Sequence, residues 1–291
     1  MRATFPFTAP TWPAGAERRP LERRTGSDYD IAWARRYPAR VARALIVDEV
    51  LRPIVRVLGS PRLHGVDRLE ALDPPAIFAG NHSSHLDTPL LLTSLPDRFR
   101  HRAVVAAGAD YFFPNRMTGA VSALAIGAFP IERRRVSRRS ADLAADFLDD
   151  GWNLVIFPEG GRSPDGWGQP FRGGAAYLAL RTGCPVVPVH LDGTRRVLKR
   201  GAKLPSRATV DVTFGSPLRP RDGDDARSFG SRIEAAVATL ADERATNWWT
   251  ARRRAAAGAT PALTGPDAPS WRRSWALDED RRRRAEHRWP R

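Results

Sequence analysis

A histidine and an aspartate stand five positions apart in the run Asn81-His82-Ser83-Ser84-His85-Leu86-Asp87, directly after the apolar stretch Ala76-Ile77-Phe78-Ala79-Gly80. A strand ending in Gly-Asn-His puts polar side chains at its C-terminal edge, where ligands bind in open α/β sheets. If the chain turns into a helix there, Asp87 comes back within reach of the His82 ring. A carboxylate accepting from one ring nitrogen fixes the tautomer and stabilises the imidazolium. The other nitrogen is then free to take a proton from a hydroxyl. His85 competes for the role with a poorer spacing to Asp87. Two histidines and one aspartate with no fourth ligand do not make a metal site, and none is expected.

Three more segments carry chemistry. Phe157-Pro158-Glu159-Gly160-Gly161-Arg162-Ser163 follows a second apolar run. Gly160 and Gly161 allow close backbone approach, and Arg162 offers a fork to a phosphate. Alone, the segment reads equally as a surface turn. Gly127-Ala128-Phe129-Pro130-Ile131-Glu132 runs into Arg133-Arg134-Arg135, a candidate anion site or a solvated basic turn. Cys184-Pro185-Val186-Val187-Pro188-Val189-His190 reads as a buried strand. Pro188 confines it to an edge or a bulge, unless the proline shapes a pocket wall. Cys184 reads as a small buried hydrophobe rather than a nucleophile.

The elements that must position these residues alternate. Strands are expected over 76–79, 103–107, 128–131, 153–157, 185–190 and 209–214, and helices over 88–94, 115–125, 140–150, 174–182 and 227–244. That pattern is an α/β architecture, a mainly parallel mixed sheet flanked by helices. Upstream, Val41, Leu45, Leu51, Ile54, Val55 and Leu58 recur at helical spacing with arginines between them. An amphipathic helix is expected over 41–58, kinked or divided at Pro53. It either packs on the core or lies at a membrane interface with its arginines toward anionic headgroups. Residues 1–40 read as an extended lead-in, 41–245 as the main domain, and 246–291 as an irregular tail rich in Trp and Arg. The tail reads as solvated and partly disordered. Its composition also suits a membrane interface, and its basic clusters leave nucleic acid open.

The chain has 291 residues and a net charge of +15. Only Lys199 and Lys203 are lysines, so arginine supplies nearly all the positive charge. A uniform arginine bias needs no specific target, so where the arginines cluster matters more. A single cysteine rules out an intrachain disulfide framework and a multi-cysteine zinc site. The longest uncharged run, 117–131, is too short for a conventional spanning helix. No charged-then-apolar leader is seen at the N-terminus. A cytosolic protein is expected.

The four segments occur in one order over roughly 110 residues, and as an ordered set they resemble the glycerolipid acyltransferases of the 1-acylglycerol-3-phosphate acyltransferase type. Asn81, His82 and Asp87 match that family's catalytic block. Gly127, Phe129, Ile131 and Arg133 match its second block. Phe157, Pro158, Glu159, Gly160, Arg162 and Ser163 match its third, and Val186 to Val189 its fourth. Phe171-Arg172-Gly173-Gly174-Ala175 resembles the stretch after the third block. The likeness spans roughly residues 55–240. Gly161 stands where the family usually has Thr, and Glu132 where many members have Asp.

The resemblance implies transfer of a fatty acyl group from a thioester, acyl-CoA or acyl carrier protein, to a lysophospholipid hydroxyl. It implies no cofactor and no metal. His82 would be the base and Asp87 its orienting partner. Asn81, Arg133, Glu159, Gly160, Gly161, Arg162 and Ser163 would bind substrate. Arg133 and Arg162 would clamp the acceptor phosphate, Glu159 would orient the acceptor or the arginines, and N–H groups near Gly160 would face the oxyanion. The partners implied are the lysophospholipid, the thioester donor and a membrane surface, with carrier protein as an alternative donor and no nucleic acid. The expected location is peripheral, on the inner face of the cell membrane. The alternatives are another lysolipid or polar lipid acceptor, or a non-catalytic lipid-binding module.

Overall fold

A computed structural model describes Gly26 and residues 29–132, 138–199, 201–202 and 204–277. Its centre is a seven-stranded sheet in the order β1-β7-β6-β2-β5-β3-β4. The strands are β1 (Arg62–His64), β2 (Ile77–Gly80), β3 (Ala103–Gly108), β4 (Ala128–Ile131), β5 (Asn153–Ile156), β6 (Val186–Asp192) and β7 (Asp211–Phe214). All neighbours pair in parallel except β6 with β7. The mainly parallel mixed sheet read from the sequence is therefore present. Only β1 escapes that reading, because Arg62-Leu63-His64 is too short and too polar to show a strand period.

Among the described residues eleven α-helices lie around the sheet, and a further helical stretch begins at residue 270. On the way to β3 come α1 (Tyr37–Leu45), α2 (Arg52–Gly59), α3 (Asp87–Ser94) and α4 (Asp97–Arg100). Then follow α5 (Ala109–Phe112), α6 (Arg116–Ile126), α7 (Arg138–Asp149) and α8 (Gly174–Thr182). The last three are α9 (Thr194–Val197), α10 (Ala226–Ala245) and α11 (Trp248–Ala256). Strand side chains alternate between two apolar clusters: Ile77 and Ala79 enter one, Phe78 the other. That is the signature of a sheet covered on both faces.

Pro188 corrects a sequence reading. β6 lies inside the sheet, between β7 and β2. The proline is tolerated because its carbonyl accepts from Gly215 N–H at 2.8 Å, just past the last residue of β7. Its missing N–H falls on that same side, where β7 has already ended. Cys184 is buried in the core, as expected.

Residues 37–59 form one helical run, with a π-helical segment at Ile46–Leu51 joining α1 to α2. The wider turn lies just before Pro53 and accommodates the proline without breaking the run. The helix buries only part of the stripe read from the sequence, at Val55 and partly at Leu51 and Leu58. Arg43, Val47 and Val55 face inward, while Val41, Leu45 and Ile54 are exposed. Arg43 decides the rotation. Its guanidinium donates to Ala34 O, Ala123 O and Leu124 O, capping the end of α6. A cation suits a helix C-terminus; burial, then Arg40, pulls its pKa down to about 10.

The segment after Ala245 is anchored to the domain at several points as far as Leu277, though most of its side chains stay exposed or half-buried. Asn247 caps α11 by accepting from Thr250 N–H, Ala251 is buried, and Arg254 pairs with Asp242 at 2.7 Å. Beyond α11 the chain crosses the loop after β5. Gly168 N–H donates to Leu263 O at 2.9 Å, Trp167 Nε1–H to Arg273 O at 2.9 Å, and Arg273 Nε–H to Asp165 at 2.7 Å. No helix among the described residues is long and apolar enough to cross a membrane.

Candidate active site

The strand order explains why segments far apart in sequence meet. β6, β2 and β5 are neighbours. Their C-terminal ends carry the fourth, first and third segments side by side.

Asn81 continues the ladder with its side chain where β2 stops. Its Oδ1 accepts from Leu191 N–H at 2.8 Å, and its Nδ2–H donates to Leu191 O at 2.9 Å. That fixes the direction in which His82 leaves the sheet. The next residues turn onto α3, whose first residue is Asp87. A carboxylate at a helix N-terminus is favoured by the aligned peptide dipoles. Oδ2 of Asp87 accepts from Ser83 N–H at 2.6 Å, from Ser84 N–H at 2.8 Å and from His82 Nδ1 at 2.8 Å. The carboxylate can only accept, so Nδ1 carries the proton and Nε2 holds the lone pair. Asp87 is fully buried, and its Oδ1 has no partner among the described residues. The His82 ring stacks on Phe157, centroids 4.3 Å apart.

The third segment holds the His82 backbone. Glu159 accepts His82 N–H at 2.8 Å on Oε1 and Gln169 N–H at 2.9 Å on Oε2. Ser163 N–H returns a bond to His82 O at 2.8 Å, and Ser163 Oγ accepts Gly166 N–H at 2.7 Å. Burial pushes the Glu159 carboxyl up to about 7, against the pull of its two backbone donors. Both Glu159 oxygens are thus engaged with main chain, which is a positioning arrangement. Gly160 has φ of +72°, and a Cβ there would meet the Arg172 guanidinium at 3.0 Å. Its N–H donates to Phe157 O at 3.0 Å, so that group is spent on the turn and does not face an oxyanion. Gly161 has open space around it.

The Arg162 guanidinium carbon stands 5.8 Å from the Tyr111 ring centroid. Tyr111 stacks on His85, and its hydroxyl is 3.0 Å from His85 Nε2. Burial, then the charges of Arg162 and His82, pull the His85 pKa down to about 4. His85 is therefore neutral at pH 7 and not paired with Asp87. Arg133 lies outside the described residues. The strand before it, β4, is the edge strand three places from β2.

Sequence reasoning gave no role to Phe157, Tyr111 or Gln169. Phe157 belonged to a recognised segment. Tyr111 sits in the four-residue helix α5 and Gln169 in a loop, and neither stretch has a periodicity to mark it.

Residues 60–192 match the family model described as Acyltransferase. A chloroplastic 1-acyl-sn-glycerol-3-phosphate acyltransferase of Brassica napus is 31% identical over 160 residues, 54% of this chain and 44% of that one. The human 1-acyl-sn-glycerol-3-phosphate acyltransferase beta is 34% identical over 155 residues, 50% of this chain and 54% of that one. The chain thus spans about half the length of these relatives. The crystal structure of the 1-acyl-sn-glycerophosphate acyltransferase PlsC from Thermotoga maritima aligns with a TM-score of 0.56 at 21% identity, covering 73% of this chain and 82% of that one. It shares the fold. Over residues 60–192 the chain is thus similar to the acyltransferase family, and in sequence it is similar to the 1-acyl-sn-glycerol-3-phosphate acyltransferases.

Proposed function

We infer that the protein moves a fatty acyl group from a thioester, acyl-CoA or acyl carrier protein, to the free hydroxyl of 1-acylglycerol-3-phosphate, forming phosphatidic acid. The observation that carries this reading is the 2.8 Å bond from His82 Nδ1 to Asp87 Oδ2. It leaves Nε2 as the base. A thioester is already activated, and a thiolate leaves well. The missing ingredient at pH 7 is a deprotonated alcohol. Nε2 takes the hydroxyl proton as the oxygen attacks the thioester carbonyl. The tetrahedral intermediate expels the thiolate, which recovers that proton from the imidazolium. Asp87 stabilises the imidazolium in between. General base catalysis of this kind contributes about 10²–10⁴-fold. Arg162 and Arg133 hold the acceptor phosphate.

In this reading residues 41–245 are the acyltransferase domain and 246–291 an appendage to it. Lysolipids reside in membranes, so the protein docks peripherally on the inner face of the cell membrane. The face for docking is the helical run 37–59, which exposes Tyr37, Val41, Leu45, Val50, Ile54 and Val57. Next to it, α6 exposes Met117 and Val121.

The test is mass spectrometry of products from purified protein given a panel of lysolipids and acyl thioesters. Phosphatidic acid is expected from the wild type and is lost in His82→Ala. Turnover on a different lysolipid alone would replace the acceptor. No transfer from any thioester would leave a lipid-binding module.

A further inference from the structure

The loop 163–169 belongs to the site at both of its ends. Ser163 N–H donates to His82 O at 2.8 Å. Gln169 N–H donates to Glu159 Oε2 at 2.9 Å, and its side-chain amide donates to Gly161 O at 3.4 Å and Arg162 O at 3.3 Å. The middle of the loop is held from elsewhere. Gly168 N–H donates to Leu263 O at 2.9 Å, Trp167 Nε1–H to Arg273 O at 2.9 Å, and Arg273 Nε–H to Asp165 Oδ2 at 2.7 Å. Both partners, Leu263 and Arg273, lie beyond residue 192, where the match to the family model ends.

The contact is shaped on both sides. Residues 270–277 are helical, and burial divides them by face. Arg273, Ala276 and Leu277 are half-buried, while Trp271, Arg272, Ser274 and Trp275 are exposed. Arg273 and Leu277 stand four residues apart, on one face of the helix. Leu277 packs so close to Gly166 that a Cβ there would meet its Cδ2 at 2.6 Å. Gly265 abuts the Trp167 indole, where a Cβ would meet the ring at 2.3 Å. Arg273 also donates to Pro266 O at 2.8 Å, which ties its own segment together. The Arg273–Asp165 pair is partly exposed, and such a pair contributes little alone. Its effect here comes from where it acts. The loop's own bonds, Gly166 N–H to Ser163 Oγ and Trp167 N–H to Asp165 Oδ1, are local, and they do not fix the loop against the rest of the molecule.

We propose that the helical stretch 270–277 is a working part of the acceptor side of the site, with Arg273 a positioning residue that sets the loop 163–169, and thereby Arg162, through Asp165 and Trp167. The inference rests on the acyl-transfer reading above, in which Arg162 takes the acceptor phosphate. The link to Arg162 is Gln169, which follows Gly168 and holds the Arg162 carbonyl. Misplacing a binding group by about 1 Å can cost as much as about 10²-fold, so a loop held at its middle holds the arginine better than one held only at its ends.

The test uses the full chain and a short-chain lysophosphatidate below its micellar concentration, which keeps membrane docking out of the readout. Amide exchange over 163–169, lysophosphatidate binding by calorimetry and both KM values are measured for Arg273→Ala, Arg273→Lys and Trp167→Phe. Trp167→Phe keeps a ring against Gly265 and removes the Nε1 donor, so it tests the same link with less disturbance to folding. With melting temperatures near wild type, Arg273→Ala should speed exchange over 165–168. It should raise the acceptor Kd and KM at least about fivefold and leave donor KM within about twofold. Trp167→Phe should act in the same direction and more weakly. Arg273→Lys should recover part of the binding, since Lys still meets Asp165 without the fork. Faster exchange with acceptor binding unchanged makes the contact purely structural and overturns the proposal. Unchanged exchange overturns it too, as does an equal rise in donor KM. Wild-type protein that acylates no lysolipid, yet binds lysophosphatidate more tightly than Arg273→Ala, overturns the acyl-transfer reading and keeps the positioning role. Transfer to lysophosphatidate that is indifferent to both Arg273→Ala and Trp167→Phe does the reverse.

Discussion

The main-chain N–H of His82 donates to Glu159 Oε1 at 2.8 Å, joining the turn after β2 to the loop after β5 through one buried carboxyl. The other oxygen of Glu159 holds Gln169 N–H, and Gln169 in turn reaches the carbonyls of Gly161 and Arg162. The third segment is therefore a brace for the histidine as well as a carrier of Arg162. A ring that must accept a proton in one geometry needs its backbone held as firmly as its tautomer.

The brace has a pH signature. Burial raises the Glu159 carboxyl from 4.5 to about 7. Across that window the folded protein holds a proton that the unfolded chain has released. Its contribution to stability is complete below 4.5 and is lost as pH rises through 7. His85 works the other way. Burial first, then Arg162, lower it from 6.5 to about 4, so its contribution is present above 6.5 and lost as pH falls through 4. In the wild type the two slopes oppose each other where the windows overlap. Calorimetric melts should show Glu159→Gln gaining stability with pH over the His85 window, relative to wild type. His85→Gln should lose stability with pH over the Glu159 window. Parallel pH curves for all three proteins would contradict these assignments.

Asp87 separates electrostatics from folding. Its Oδ2 accepts two backbone N–H groups besides the histidine. Asp87→Ala strands all three donors, at about 1–3 kcal/mol for each one left buried, so both melting temperature and activity should fall. Asp87→Asn keeps a carbonyl oxygen for the turn but removes the charge that stabilises the imidazolium. It should stay folded by circular dichroism and lose at least about 10²-fold in kcat. Near wild-type turnover in a folded Asp87→Asn would remove the His/Asp mechanism.

How far the sequence carried the site depended on the kind of bond. The His82–Asp87 pairing is local, five residues along the chain, and its spacing predicted it. Strands and helices with full apolar periods, such as β5 and α8, were legible for the same reason. Asn81, Glu159 and Ser163 were recognised as site residues, but their bonds to Leu191 and His82 run across 77 to 110 positions, and only the strand order brings those partners together. The helix over 41–58 was legible as a helix but not in its rotation. One buried cation, Arg43, outweighs the apolar stripe by capping α6, and no hydrophobic pattern registers that. Pro188 misled because the rule confining proline to edges assumes a ladder bond that β7 is too short to require.

The anion site can be tested at two adjacent positions. Arg162→Ala removes a forked cation and should raise acceptor KM by roughly 1.5–3 kcal/mol in free energy, with donor KM little changed. Gly161 has nothing within 4 Å of where a Cβ would stand and is not at positive φ. Gly161→Thr should therefore fold normally and lower acceptor KM by adding a hydroxyl near the phosphate. Equal changes in both KM values would assign Arg162 to folding or to the donor.

Docking can be located by two sets of substitutions. Leu45 and Ile54 are 59% and 47% exposed on the helical run 37–59. Fully burying an aliphatic side chain is worth about 1.5–3 kcal/mol, so inserting the half still exposed gains about 1 kcal/mol each. Leu45→Ser with Ile54→Ser should weaken vesicle binding by at least about tenfold. Trp271 and Trp275, 66% and 62% exposed and one helical turn apart, form the competing surface. Because their segment is tied down through Arg273 and Leu263, Trp271→Ser with Trp275→Ser should leave the fold intact and reduce binding less. Arginines near an anionic surface add about 1 kcal/mol each, so both losses should be measured by sedimentation with anionic and zwitterionic vesicles at low and high salt. A larger loss from the tryptophan pair would move the docking face to the C-terminal segment. Binding that resists salt and high-pH washing would mean an integral anchor instead of a peripheral face.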